Sequence, residues 1–149
     1  MKKTIIAVYG TSESGKTQSI KQFVANNSNP FIDINGNITT VIPTNSDDIY
    51  GTIQIGRALV GITSQGDPGT GLDQRLAYLV SINCDIIICA TRTKKQTVWD
   101  VNDVERDHGY RKIRFGNFES KAVINQNRLN EISGDGIERV VDGVINGQI

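Results

Sequence analysis

The sequence predicts a three-layer α/β sandwich with a mostly parallel central sheet and one antiparallel hairpin, forming a single domain over residues 1–149. Three observations carry this. The apolar run Thr4-Ile5-Ile6-Ala7-Val8-Tyr9 feeds directly into Gly10-Thr11-Ser12-Glu13-Ser14-Gly15-Lys16-Thr17 and then into a segment of helical periodicity, the strand–turn–helix opening of a parallel α/β unit. A second apolar run, Cys84 to Thr91, has the near-continuous character of strands buried on both faces of a parallel sheet. Finally, 149 residues suit one core and leave no length for a second beside it.

The elements follow in chain order. Thr17 to Asn27 reads as the first helix, with Ile20, Phe23 and Val24 on one buried stripe, and Asn26-Asn27-Ser28-Asn29-Pro30 stops it. Phe31 to Ile34, a turn at Asn35-Gly36-Asn37 and Ile38 to Ile42 are short and β-biased. Ile49 to Ile55 and Ala58 to Ser64, separated by Gly56-Arg57, read as a β-hairpin. The second of the pair is the more apolar and is expected to be the central strand beside the first. A helix starting at Thr70 or Asp73 carries Leu72, Leu76, Leu79 and Val80, and leads into the Cys84–Thr91 strand. Thr97 to His108 is amphipathic, with Val98, Val101 and Val104 inward, Trp99 read as packing, and His108-Gly109 as helix-end punctuation. Tyr110 to Phe115 alternates basic and apolar residues, as an edge strand does, and Gly116-Asn117-Phe118-Glu119 continues it to the carboxyl edge. From about Ile124 the chain is helical with an expected break at Gly134-Asp135-Gly136. Its stripe of Ile137, Val140, Val141, Val144 and Ile145 must pack on the sheet or on a second subunit.

The chemistry begins at Gly10 to Thr17. Glycines at 10 and 15 let the backbone turn tightly, so that N–H groups of Gly10, Thr11, Ser12, Glu13, Ser14 and Gly15 converge on phosphate oxygens, and the helix beginning there adds its positive end. Lys16 is expected to face solvent and reach the β- and γ-phosphates, and Thr17 to ligate the magnesium that bridges them. Two further segments reach the same sheet edge, where ligands sit in open α/β folds. Ser64-Gln65-Gly66-Asp67-Pro68-Gly69 supplies Asp67 as the magnesium carboxylate and Gln65 to orient a water, with Gly66 and Gly69 as plain turn residues. Thr91-Arg92-Thr93-Lys94-Lys95 supplies Arg92 to stabilise charge on a transferring phosphoryl group, while Lys94 and Lys95 belong to a solvated basic loop. Asp33, Asp47 and Asp48 sit in turns that they are expected merely to solvate. Asp85, at the amino end of its strand, is excluded from the site.

The Gly10–Thr17 motif resembles the Walker A loop of the P-loop NTPase superfamily. The resemblance implies a P-loop NTPase-like sandwich with the nucleotide at the carboxyl ends of the strands. It also implies an acidic residue closing a central strand, where this chain has Thr63-Ser64 and Asp67 only three residues later. Together with Gly61 to Pro68 and Cys84 to Thr93, the motif is similar to a group of small bacterial P-loop proteins with ATP binding but no assigned activity. The N-K-x-D guanine-reading motif of Ras-like GTPases is absent, since Thr93-Lys94-Lys95-Gln96 has neither Asn nor Asp, so ATP is the expected nucleotide, with magnesium.

Sixteen basic and sixteen acidic residues give no net charge, and so no broad basic surface for nucleic acid. The apolar run after Met1-Lys2-Lys3 is too short for a signal peptide or a membrane helix. Cys84 and Cys89, placed on opposite faces of one strand and unable to bridge, read as reduced core residues of a cytoplasmic protein. Three functions fit: a magnesium-dependent NTP hydrolase or switch, a kinase for a nucleotide or another small-molecule acceptor, and a weakly hydrolysing module that signals nucleotide state to a protein partner.

Overall fold

The computed structural model describes residues 1–10, 15–39, 47–118, 120, 122 and 124–149. Thr11 to Ser14 of the expected phosphate loop, Thr40 to Ile42 of an expected strand, and Glu119 lie outside them. The elements run β1 (Thr4–Tyr9), α1 (Lys16–Ala25), β2 (Phe31–Asp33), β3 (Ile38–Thr39), β4 (Tyr50–Ile55), β5 (Ala58–Thr63), α2 (Leu72–Ser81), β6 (Ile86–Thr91), α3 (Gln96–His108), β7 (Arg111–Gly116) and α4 (Gln126–Ile145). They form a mixed sheet in the order β3-β2-β4-β5-β6-β1-β7. The four strands β5, β6, β1 and β7 are parallel, and β4, β2 and β3 continue the sheet through antiparallel pairs. The expected hairpin is the β4–β5 pair. β5 lies inside the sheet, and β6 rather than β5 neighbours β1.

Alternation along the parallel strands feeds two cores. Ile6, Val8, Ile62 and Ile88 face α1 and α4, where they meet Ile20, Phe23, Ile137 and Val141. Ile5, Ala7, Ile87 and Cys89 face α2 and α3, meeting Leu72, Leu76, Leu79, Val101 and Val104. This is why β1 and β6 read as unbroken apolar runs, each face needing its own set. The carboxyl-terminal stripe therefore packs on the sheet.

Three local expectations change. The Gly134-Asp135-Gly136 segment does not break α4, which is continuous from Gln126 to Ile145. A Cβ on Gly134 would sit 2.8 Å from Gln22 Cβ, and one on Gly136 would sit 2.9 Å from Phe115, so these glycines admit close neighbours rather than end the helix. Cys84 and Cys89 share one core rather than opposite faces, because β6 begins only at Ile86 and Cys84 follows the left-handed residue Asn83 (φ 65°) outside the strand's alternation. Trp99 is 56% exposed on the first turn of α3 and packs into neither core.

Both cysteines are free and buried, and burial pushes each thiol up to about 12. The reactive thiolate is thus suppressed below that value. Folded protein at about pH 8 is expected to leave both thiols unmodified by a colorimetric thiol reagent and to expose two on denaturation. A fast-reacting thiol in the native state would contradict this packing. No helix among the described residues is long and apolar enough to cross a membrane.

Candidate functional site

Among the parallel strands, the neighbours β1 and β6 send the chain in opposite directions. From β1 the chain leaves over α1 toward β2, whereas from the adjacent β6 it leaves over α3 to β7, on the far side of β1. Open α/β sheets bind ligands in the crevice that such a divergence creates at the carboxyl ends of the strands. The segments after β1, β5 and β6 all emerge there, with Tyr9 in register with Thr91 and Thr63 with Cys89. A cleft at this edge is lined by Gly15, Lys16, Thr17, Gln18, Asp48, Ser64, Gln65, Gly66 and Asp67.

Gly15 caps α1 with φ 78°, a backbone that favours glycine, and a Cβ there would meet Asn130 Oδ1 at 2.5 Å. It gives the first turn of α1 no side-chain cap. Lys16 does not face solvent as expected. It is 6% exposed and its Nζ donates to the Gly10 carbonyl at 2.8 Å, turning the ammonium back to the residue that follows β1.

Thr17 meets the carboxylate of Asp48, which does more than solvate its turn. Its hydroxyl donates to Asp48 Oδ1 at 3.1 Å, and Ser64 Oγ donates to the same oxygen at 2.9 Å while accepting from Ile49 N–H at 2.8 Å. The antiparallel hairpin explains this meeting. Tyr50 at the amino end of β4 pairs with Thr63 at the carboxyl end of β5, so the residue just before β4 reaches the edge that Ser64 leaves. Behind Asp48, Lys21 is buried and donates through Nζ to the Asp47 carbonyl at 2.7 Å. Burial holds its pKa below the ordinary lysine range, against the opposite pull of Asp47 and Asp48.

The loop after β5 is held by Arg75, which sequence reading missed. Its guanidinium donates to Thr63 Oγ1 at 2.8 Å, to the Thr70 carbonyl at 2.5 Å and to the Gln65 carbonyl at 2.6 Å. Such planar, multiply bonded arginines fix a loop. Gly66 lies so near β6 that a Cβ would stand 2.2 Å from the Ala90 carbonyl oxygen. Gln65 and Gly66 line the cleft, and Gly69 adopts φ 76° in the turn beyond.

Asp67 and Arg92 do come together, with each other. Arg92 Nη2 lies 2.9 Å from Asp67 Oδ1 and Nε donates to it at 3.1 Å, joining the loops after β5 and β6. Both side chains remain partly exposed, so the pair adds at most about 1 kcal/mol. The Arg92 N–H donates to Thr97 Oγ1 at 2.9 Å, and Lys94 and Lys95 are exposed. Asp33 spends its carboxylate on its own turn, accepting from the N–H groups of Asn35 and Asn37 at 2.9 Å each. Those bonds hold its pKa below the usual range. Asp85 binds the Leu59 N–H at the amino end of β6, away from the cleft.

Among the described residues no cluster of three or more His, Cys, Asp or Glu could hold a metal unaided. Magnesium does not need one, because it is commonly bound by one or two protein oxygens, waters and substrate phosphates. The Thr17 hydroxyl and Asp48 carboxylate, joined by a hydrogen bond at the cleft, are the hard-oxygen donor set that fits. No family model matches the chain, and comparisons with curated proteins and with solved structures give no match either.

Proposed function

We propose that this chain is a P-loop protein that binds ATP with magnesium and hydrolyses it, as an NTPase or nucleotide switch. The observation that carries this is the convergence on one cleft of Lys16 and Thr17 at the amino end of α1 with the Asp48 carboxylate hydrogen-bonded to that threonine. A strand–turn–helix with G-x-x-x-x-G-K-T supplies main-chain N–H groups, a helix terminus and an ammonium for a triphosphate. Thr17 and Asp48 are the residues that would hold magnesium. The ion, when bound, supplies charge neutralisation between the β- and γ-phosphates. Asp67, the carboxylate expected from the sequence, is the other candidate. Its carboxylate is engaged by Arg92, which favours Asp48.

The remaining roles fall to the chain's own groups. Lys16 exchanges the Gly10 carbonyl for phosphate oxygen and stabilises the negative charge there. Gln65, on a loop held by Arg75, orients the attacking water from the cleft wall. Arg92 acts on the transferring phosphoryl group once its guanidinium is shared with, or released from, Asp67.

Phosphate release from magnesium-ATP with no added acceptor tests this, and turnover under those conditions is the expected result. Turnover that requires a nucleotide or other small-molecule acceptor would instead identify a kinase. Tight binding without release would identify a binding module. With no N-K-x-D sequence, ATP should bind at least as well as GTP in a competition titration. A preference for GTP of about a hundredfold, about 2.7 kcal/mol, would contradict the assignment of the base.

A further inference from the structure

Lys21 lies on α1 one turn beyond Thr17 and is only 2% exposed. Enclosing an ammonium is unfavourable unless hydrogen bonds and opposite charge offset the lost hydration. Its Nζ donates to the Asp47 carbonyl at 2.7 Å, and that carbonyl belongs to the peptide unit leading into Asp48. Residues four apart stand on the same face of a helix. One face of α1 therefore grips this segment twice, through the Thr17 hydroxyl on the Asp48 carboxylate and through the Lys21 ammonium on the main chain before it. Ser64 Oγ completes the hold from β5.

We infer that Lys21 is a positioning residue, holding the Asp47–Asp48 peptide against α1 so that the Asp48 carboxylate is presented to the magnesium of a bound nucleotide; this rests on the Thr17–Asp48 assignment above. The ammonium touches neither nucleotide nor metal. It fixes the peptide orientation, and its charge offsets the repulsion between the adjacent Asp47 and Asp48 carboxylates. A lysine that merely filled the space behind the hairpin would change the melting temperature and leave magnesium dependence untouched.

Calorimetric titration of ATP across a magnesium series, with a parallel titration in EDTA, separates these roles for the parent, Lys21→Met, Lys21→Arg and Asp48→Asn. Lys21→Met should raise the magnesium concentration that half-maximally supports ATP binding by about tenfold, the usual cost of losing a group that orients a ligand. ATP affinity in EDTA should stay within about twofold of the parent. Lys21→Arg should fall between, because a planar fork keeps the charge but cannot place it at the same point. An unchanged magnesium midpoint in Lys21→Met, where Asp48→Asn moves it, overturns the positioning role and leaves Asp48 in place. An unmoved midpoint in Asp48→Asn itself removes the assignment underneath, and the positioning role with it. If Lys21→Met does not fold, Lys21→Arg decides: a shift of about threefold or more supports the role, and an unchanged midpoint overturns it.

Discussion

Lys16→Ala is expected to weaken ATP binding by at least about a hundredfold, about 2.7 kcal/mol, because it removes the only ammonium lining the cleft among the described residues. Calorimetry measures the loss, and an affinity equal to the parent's would contradict the phosphate-loop assignment. The melting curve should also shift. A solvent-facing lysine would be removable without consequence, but Lys16 is buried and its Nζ is bonded to the Gly10 carbonyl. Losing that bond costs about 1 kcal/mol, or roughly 2–4 °C in a domain of this size. A larger collapse would make Lys16 a structural residue first.

Asp48→Asn is expected to abolish most of the gain in ATP affinity that magnesium confers, shifting the magnesium midpoint by about ten- to a hundredfold, while binding in EDTA persists. The amide can still accept from Thr17 or Ser64, so the fold should hold. Asp67→Asn is the control. It breaks an exposed ion pair with Arg92 and should change stability by no more than about 1 kcal/mol and leave the magnesium midpoint where it was. If Asp67→Asn moves the midpoint and Asp48→Asn does not, the carboxylate after β5 holds the ion after all.

Asp48 was within reach of sequence reading, through the register of the expected hairpin. The sequence invites a search for an acid after a central strand, and β5 ends in Thr63-Ser64 with none. In an antiparallel pair the residue before one strand lies beside the residue after the other, so the carboxylate comes from the amino end of β4. The two-residue turn at Gly56-Arg57 sets a register that carries the residues before Ile49 to Ser64, but a search confined to residues that follow strands passes over them. Arg75 was hidden, since its bonds to Thr63, Gln65 and Thr70 depend on the fold of a loop and not on a local pattern.

What was legible is what short-range physics dictates. The runs that became β1 and β6, the Ile20-Phe23-Val24 stripe of α1 and the edge position of β7 all follow from periodicity and burial on one or two faces. Gly134 and Gly136 misled because a glycine pair in isolation reads as a helix breaker. Their role is set by Gln22 and Phe115, far away in the chain. Asp67 and Arg92 were correctly carried to the same edge, but their opposite charges close on each other there.

The most direct test is a crystal structure with a non-hydrolysable ATP analogue and magnesium. The triphosphate is expected along Gly10 to Thr17, with magnesium on the Thr17 hydroxyl and Asp48 bound to it directly or through one water. A nucleotide seated away from that turn, or a metal on Asp67 with the Asp48 carboxylate more than about 8 Å distant, past a water-bridged contact, would contradict it.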